Sequence, residues 1–167
     1  MKWLVRILIL VVLLVAVVYG VGSALPEDHV ASRSAPFGAS PQQVYDTIAD
    51  VGNYPQWWRQ ISKVEMLPSE GGHMRFRQQT EAGSITMQVD EASPPSRFVT
   101  RIADPDQPFG GTWTFEIVPD RGTKSLLTIT ERGEVYDPFF RFMSRFVFGY
   151  TSTMEDCLAA LTAKFGA

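Results

Sequence analysis

Glu131 is the residue of this chain whose surroundings best suit acid–base chemistry. From Leu127 to Thr130, apolar and hydroxyl side chains alternate, which predicts a strand with one apolar face. Glu131 continues the apolar phase, so we expect its carboxyl group to point into the interior. A buried, unpaired carboxyl group has a raised pKa and can give or take a proton. If the strand instead ends at Thr130, Glu131 lies at a solvated rim beside an arginine.

The other reactive side chains of the sequence do not form a recognisable site. Cys157, the one cysteine, falls within a helical apolar pattern and is interpreted as a small buried side chain rather than a nucleophile. His29 and His73 are the only histidines, and neither has the spacing of a metal ligand. The sequence therefore predicts neither a metal site nor a cofactor.

The charge distribution excludes a nucleic-acid-binding role. The chain has 167 residues, and Lys2 and Arg6 are the only charged residues before Glu27. The part after Gly22 carries 13 basic against 18 acidic residues, a net charge of −5. Nucleic-acid binding needs a basic patch, and attachment to anionic lipid by charge alone needs a polybasic surface. We expect no nucleic-acid partner, and any membrane association must depend on an apolar segment.

Residues 1–22 form such an apolar segment. Its apolar run is almost unbroken and follows two cations, with Trp3 and Tyr19 near its ends. About 20 apolar residues in a helix span the hydrocarbon core of a bilayer, and aromatic rings favour the two interfaces. The positive-inside rule keeps the N-terminus in the cytoplasm. We therefore predict a single-pass membrane protein with residues 29–167 on the extracytoplasmic side.

A cleaved signal peptide is the alternative interpretation of this segment. The segment has a basic start and an apolar centre, and Gly22-Ser23-Ala24 offers small residues for cleavage. The length of the apolar run favours the anchor. Residues 23–28 then form a short linker, whereas cleavage would leave a secreted or periplasmic protein. The domain is exported in both cases.

Residues 29–167 have the pattern of an α+β domain. Ser40-Pro41-Gln42-Gln43 is the signature of a helix N-terminus with a capping box. After Val64, apolar and polar residues alternate in five runs between glycine and proline turns, which predicts an antiparallel sheet with one wet face. Asp137 caps a long helix with an apolar stripe, predicted to run from Pro138 to about Lys164 and to cover the sheet.

The facing surfaces of sheet and helix outline a common interior. Aromatic and methionine side chains with few polar groups are typical of a ligand pocket, and they are equally typical of a solid core. Two adjacent tryptophans on one short helix cannot both point inward, so one of them is expected to border this space. The predicted ligand-binding residues are Trp57, Phe76, Gln78, Met87, Trp113, Phe115, Phe142, Phe146 and Tyr150.

The stretch from Phe139 to Tyr150 has more apolar side chains than one stripe requires. It is apolar on nearly every side, interrupted by Arg141 and Arg145. A helix that faces a sheet needs a single apolar stripe. We expect the extra side chains to pack internally, with lipid contact as the alternative.

The order of elements resembles the helix-grip fold of the START/Bet v 1-like (SRPBCC) superfamily, specifically its bacterial polyketide cyclase/dehydrase and lipid-transport group. The resemblance is carried by Ala39-Ser40-Pro41-Gln42-Gln43-Val44-Tyr45, Asp50 to Trp58, Phe109-Gly110-Gly111-Thr112-Trp113, Thr128 to Gly133 and the closing helix. It implies a curved antiparallel sheet wrapped around the C-terminal helix, with a cavity for a small molecule or lipid between them. These motifs are structural, so they indicate the fold better than the function.

Three functions fit these observations. The first is a membrane-anchored protein that binds a hydrophobic small molecule or lipid in the cavity. The second is an enzyme of the cyclase/dehydratase kind, with Glu131 as its one candidate residue. The third is a non-catalytic module that meets a protein partner at the membrane. The lack of an identifiable catalytic set in the sequence favours the first.

Overall fold

A seven-stranded antiparallel sheet organises the structure, a computed structural model that describes residues 2–166. Along the sheet the strands follow the order 1-7-6-5-4-3-2, so the first and last strands in the chain are neighbours. The strands are β1 (Asp28–Phe37), β2 (Lys63–Glu70), β3 (His73–Thr80), β4 (Gly83–Ser93), β5 (Arg97–Ile102), β6 (Phe109–Pro119) and β7 (Ser125–Val135). The five alternating runs of the sequence fall in β3 to β7. Alternation indicates strands because successive side chains of a strand point to opposite faces of the sheet, of which one faces the core.

Within residues 2–166, five α-helices accompany the sheet. They are α1 (Lys2–Ala24), α2 (Pro41–Ala49), α3 (Tyr54–Trp57), α4 (Pro138–Met143) and α5 (Ser152–Phe165). A short 3₁₀ turn, Val51–Asn53, precedes α3, and a π-helical turn, Ser144–Phe148, follows α4. The sheet is curved and α5 packs against it, which confirms the α+β helix-grip architecture expected from the sequence.

The start of α2 follows the capping signature of the sequence. The Ser40 side chain accepts a hydrogen bond from the Gln43 backbone, and the Gln43 side chain accepts one from the Ser40 backbone. Pro41 occupies the first turn, where the missing N–H has no helical partner to lose. This cap orients α2 so that Val44 and Ile48 are buried in the core.

One hydrophobic core joins the short helices, the inner face of the sheet and α5. Met154, Cys157 and Leu161 of α5 are fully buried, three and four residues apart, as one face of a helix requires. They meet the inner positions of β7, of which Leu127 and Ile129 are also fully buried.

The C-terminal helix differs from its prediction, because it is broken into two. The single helix expected from Pro138 to about Lys164 is interrupted by the π-helical turn and by Gly149, whose φ of 76° lies outside the helical region. Glycine adopts this conformation at little cost, and it ends helices for that reason. Asp137 does cap the first piece, since its carboxylate accepts hydrogen bonds from the backbone N–H groups of Phe139 and Phe140. Only α5, the second piece, occupies the place of the gripped helix.

The first piece, α4, packs against α1. Gly22 of α1 lies so close to the Pro138 carbonyl that a Cβ atom at position 22 would overlap it. α1 has 23 residues and is long and apolar enough to cross a membrane. It extends two residues beyond the predicted boundary at residue 22, so the connection to β1 shrinks to residues 25–27.

Candidate functional site

Glu131 lies on the inner face of the sheet, as predicted from its phase. It is paired in register with Trp113 of β6 on one side and Ala31 of β1 on the other. Only 23% of its side chain is exposed, and burial raises the pKa of the Glu131 carboxyl to about 7, against a smaller lowering by the hydrogen bond from the Trp113 indole. The strand continues to Val135, so the alternative of a solvated rim is excluded.

His29 of β1 lies beside this carboxyl group. Its Nε2 is 3.5 Å from Glu131 Oε1, close to contact but too long for a strong hydrogen bond. Burial lowers the pKa of His29 from 6.5, although Asp28 acts weakly in the opposite direction. At a pH between the two pKa values the carboxyl group holds its proton and the imidazole is neutral. The two side chains are therefore an acid and a base 3.5 Å apart.

Tyr150 covers the imidazole from the side of the C-terminal segment. The two rings are stacked, with centroids 4.0 Å apart and an angle of 22° between their planes. Tyr150 follows Gly149, so the break in the C-terminal helix brings this ring to β1. Gly133 provides space on the other side, because a Cβ atom there would overlap the imidazole ring. His29 is thus held between an aromatic ring and a glycine.

Aromatic rings fill the interior next to this pair. Trp113 stacks on Trp58 with centroids 6.2 Å apart, and Trp58 in turn stacks on Trp57 at 5.7 Å. Phe115 and Phe98 extend the same cluster toward α2. Offset and edge-on contacts at these spacings are favourable beyond the burial of area alone.

Two buried indole N–H groups of this aromatic cluster lack a protein partner among the described residues. Neither Trp57 Nε1 nor Trp58 Nε1 has a hydrogen-bond acceptor within residues 2–166, although both atoms are buried. Trp58 as a whole is only 6% exposed. A buried N–H group without an acceptor costs about 1–3 kcal/mol, so these two N–H groups are available to an acceptor that enters the interior.

The predicted ligand-binding residues divide into two groups. Phe76, Met87 and Phe115 are buried in the core, while Trp57, Gln78, Trp113, Phe142 and Tyr150 are half-buried. Phe76 and Met87 are direct cross-strand partners. Gln78 pairs with Ile85, two residues further along the same strands.

Phe146 is the exception, and its predicted inward position is wrong. It is 59% exposed and lies in the π-helical turn, outside the segment that packs on the sheet. The prediction assumed one continuous helical stripe, and the break at Gly149 removes the continuity on which it depended.

His29 is a functional candidate that no local pattern in the sequence indicates. Spacing along the chain gave no reason to connect it with Glu131, because the two residues are about a hundred positions apart. The pairing of β1 with β7 brings them together, and that pairing is a non-local property of the fold. The one available signal was the neighbouring Gly133, which accommodates a close side chain.

Other chemistry is not supported by the described residues. Within residues 2–166, no three histidine, cysteine, aspartate or glutamate side chains cluster in a way that could hold a metal ion. Cys157 is fully buried, and burial raises its thiol pKa, which makes it inert as a nucleophile.

A groove of about 750 Å³ lies elsewhere, at one end of the outer face of the sheet. It is lined by Arg75 of β3, Arg101 of β5 and Arg132 of β7, which lie in one row across the sheet. Their side chains are on the face of the sheet opposite to Glu131. Glu70 and Asp90 pair with the first two of these arginines. This face is the wet side that the alternation of the strands predicted.

Comparison with known proteins identifies the family. A family model described as polyketide cyclase / dehydrase and lipid transport matches residues 28–166, which include Glu131, His29 and the whole interior. The chain belongs to this family. Family and fold together point to hydrophobic ligand binding or to cyclase/dehydrase-like activity in a START-like fold. Among proteins with curated descriptions, none matches this chain.

Solved structures of this fold cover most of the chain at low sequence identity. An aromatase/cyclase, Zhui of Streptomyces sp. R1128, has a TM-score of 0.68 and 13% identity over 82% of this chain and 93% of its own. A START superfamily protein of Mycobacterium smegmatis has a TM-score of 0.64 and 20% identity over 82% and 97%. Norcoclaurine synthase of Thalictrum flavum has a TM-score of 0.65 and 10% identity over 82% and 86%. At these identities the likeness shows the fold alone.

Proposed function

We propose that this family member is a membrane-anchored protein that binds one hydrophobic small molecule or lipid between the inner face of the sheet and α5. The observation that carries the proposal is the pair of buried indole N–H groups on Trp57 and Trp58. They lie in a cluster of aromatic side chains, and neither has a hydrogen-bond acceptor within residues 2–166. A ligand with an apolar body and a carbonyl, ester or hydroxyl oxygen satisfies both features.

The anchor supports a ligand taken from the membrane. α1 is apolar over 23 residues, and only residues 25–27 separate it from the first strand. Such a short connection holds the domain within a few ångströms of the bilayer surface if α1 spans it. Lys2 and Arg6, both at the N-terminal end, favour an extracytoplasmic domain. A lipid or a lipid-soluble metabolite is therefore more accessible to the interior than a freely diffusing polar molecule.

Photo-crosslinking from the membrane tests this proposal. The full chain is reconstituted in vesicles that contain a phospholipid with a diazirine on its acyl chain, irradiated and mapped by peptide mass spectrometry. We expect crosslinks on the inner positions of β4 and β6, including Met87 and Phe115, in addition to those on α1.

The variant Met87→Trp provides the matched control for this experiment. Met87 is 8% exposed, so a larger side chain there occupies the interior, and we expect fewer crosslinks in β4 and β6 with those on α1 unchanged. Crosslinks confined to α1 and residues 138–148 in the unaltered chain would contradict the binding proposal and leave the anchor standing.

The acid–base pair favours a second function, dehydration or cyclisation of a bound carbonyl compound. In a dehydration, His29 Nε2 would take the α-proton of a β-hydroxy ketone, the C–O bond would break, and Glu131 would protonate the departing hydroxyl as water. The distance of 3.5 Å between the two groups lets one substrate contact both.

A dehydration assay with a β-hydroxy ketone tests this second function through the absorbance of the conjugated product. We expect Glu131→Gln and His29→Gln each to slow the reaction by roughly a hundredfold or more, since general acid–base catalysis contributes at least that much. His73→Gln changes a histidine exposed on β3 and should be without effect. Equal rates in all three variants would remove the enzyme proposal and leave ligand binding untouched.

A further inference from the structure

Residues 139–148, which run from α4 through the π-helical turn, expose several large apolar side chains. We call residues 139–148 the aromatic strip. Phe139 and Phe140 are each more than one third exposed, and Phe146, Val147 and Phe148 are each close to 60% exposed. A soluble monomer rarely exposes several large apolar side chains side by side, and such surfaces mark interaction sites. The internal packing predicted for this stretch does not occur for Phe146, Val147 and Phe148.

The strip begins beside the apolar helix α1. The Tyr19 and Phe139 rings are 6.4 Å apart, and the Pro138 carbonyl contacts Gly22. Tyr19 lies one turn before Gly22, so the start of the strip is level with the last turn of the helix. This is the level at which tyrosine and other aromatic rings meet the interface of a bilayer. The strip is thus continuous with the surface that α1 presents to lipid.

A buried arginine fixes this arrangement. Arg141 is 8% exposed, and its guanidinium donates to the Leu25 carbonyl, the Tyr136 carbonyl and the Glu27 carboxylate. The Glu27 carbonyl in turn accepts from the Val135 backbone. These bonds tie α4, the end of β7 and the connection after α1 into one junction. The short connection therefore holds the domain in one orientation relative to α1.

The charges of the strip suit a lipid surface. The sequence has no acidic residue between Asp137 and Glu155, whereas Arg145 lies in the strip and is exposed. Exposed arginine side chains beside apolar residues reach phosphate groups while their stems remain in the apolar layer. A bilayer that contains anionic lipid therefore complements both the apolar and the charged parts of the strip.

From these observations we propose that the aromatic strip inserts into the membrane interface on the domain side, with the lipid bilayer as its partner. The proposal rests on the membrane-spanning role of α1 proposed above. The strip provides a second point of membrane attachment, and it presents the domain with Tyr150 and the adjoining interior close to the lipid.

Spin labels at two valines test the insertion. Val147→Cys places a nitroxide in the strip, and Val118→Cys places one on β6, where the native valine is similarly exposed at 50%. Val118 is nine residues along the strand from Phe109, which pairs with Val135 beside the junction, a distance of about 30 Å. Cys157 is fully buried and serves as its own control, because the unaltered chain should take up no label. The chain is reconstituted in vesicles of phosphatidylethanolamine and phosphatidylglycerol.

We expect the label at position 147 to collide more with oxygen, which concentrates in lipid, than with a water-soluble nickel chelate. The label at position 118 should show the opposite preference. Resistance of the protein to carbonate extraction is measured on the same vesicles and reports on α1 alone. If the label at position 147 is accessible to nickel in a protein that resists carbonate extraction, the insertion of the aromatic strip is contradicted. The membrane-spanning role of α1 is retained in that case.

Two further outcomes would also overturn the proposal. Dipolar broadening at position 147, with both quenchers excluded, would show that a second copy of the chain covers the strip. Extraction of the protein by carbonate would contradict the membrane-spanning role of α1 and, with it, the insertion of the aromatic strip. Ligand binding in the interior is tested separately by crosslinking.

Discussion

Among single residues, the interior combines a carboxyl group and an imidazole whose pKa values both favour the uncharged form. Glu131 and His29 both shift toward their uncharged forms, and burial is the main cause for each. An uncharged pair is compatible with an apolar ligand, because neither group brings a full charge into the interior. The hydrogen bond from the Trp113 indole lowers the pKa of the Glu131 carboxyl, and it limits the rise that burial causes. The polar end of the interior is thus suited to orient one oxygen of a ligand.

The raised pKa of Glu131 predicts a pH dependence of stability. The folded chain holds this proton more tightly than the unfolded chain, so the contribution to stability is fully present below pH 4.5 and is lost as the pH rises through about 7. Glu131→Gln stays neutral and avoids this loss. We expect the free energy of unfolding of the unaltered chain to fall relative to the variant, by up to about 3 kcal/mol between about pH 4 and about pH 8.

Urea denaturation followed by tryptophan fluorescence measures this difference. Glu65→Gln is the matched control, because it changes an exposed carboxylate on β2. Parallel pH profiles for the unaltered chain and Glu131→Gln would show that Glu131 ionises normally in the folded state.

At the scale of elements, the break in the C-terminal helix is the feature that departs from a simple gripped helix. α5 remains on the sheet, while α4 is redirected to α1. Gly22 makes the α1 contact possible, since only a residue without a side chain fits against the Pro138 carbonyl. The junction therefore depends on one glycine in the apolar helix and one arginine, Arg141, in α4.

A leucine at position 22 should separate α4 from α1. Its side chain would overlap the Pro138 carbonyl, whereas a Cβ atom at Gly20 meets nothing within 4 Å. With cysteines in place of Tyr19 and Phe139, whose rings are 6.4 Å apart, we expect a short bifunctional maleimide to crosslink α1 and α4 in the parent chain and in Gly20→Leu, and most of this crosslink to be lost in Gly22→Leu. Equal crosslink yields in both leucine variants would show that the contact does not hold α4 in place.

Local signals predicted most of the elements, and non-local contacts account for what was missed. The cap at Ser40 and the alternation in β3 to β7 depend on neighbours within a few residues, so the sequence was sufficient for them. The proximity of His29 and Glu131 depends on the register of β1 with β7, which no local pattern contains. Phe146 was misplaced because a helical stripe looks continuous in the sequence even where a glycine ends the helix.

At the scale of the whole molecule, three parts act on the same ligand in the proposed account. The apolar helix α1 keeps the domain at the bilayer, the aromatic strip fixes its approach to the lipid, and the aromatic interior holds the bound molecule. The family and the fold support hydrophobic ligand binding or cyclase/dehydrase-like chemistry in that interior. In this proposal a single apolar molecule occupies the interior, with its oxygen bonded to the buried indoles.

Native mass spectrometry of the full chain, released from membranes in detergent micelles, tests whether one apolar molecule is bound. We predict the mass of the chain plus one apolar molecule, with the affinity for that molecule lowered roughly 2- to 12-fold in Trp58→Phe, which loses one hydrogen bond worth about 0.5–1.5 kcal/mol. Trp3→Phe, the same substitution on the exposed surface of α1, should retain the ligand in full. The mass of the chain alone in every variant, with no uptake of added lipid, would contradict the account.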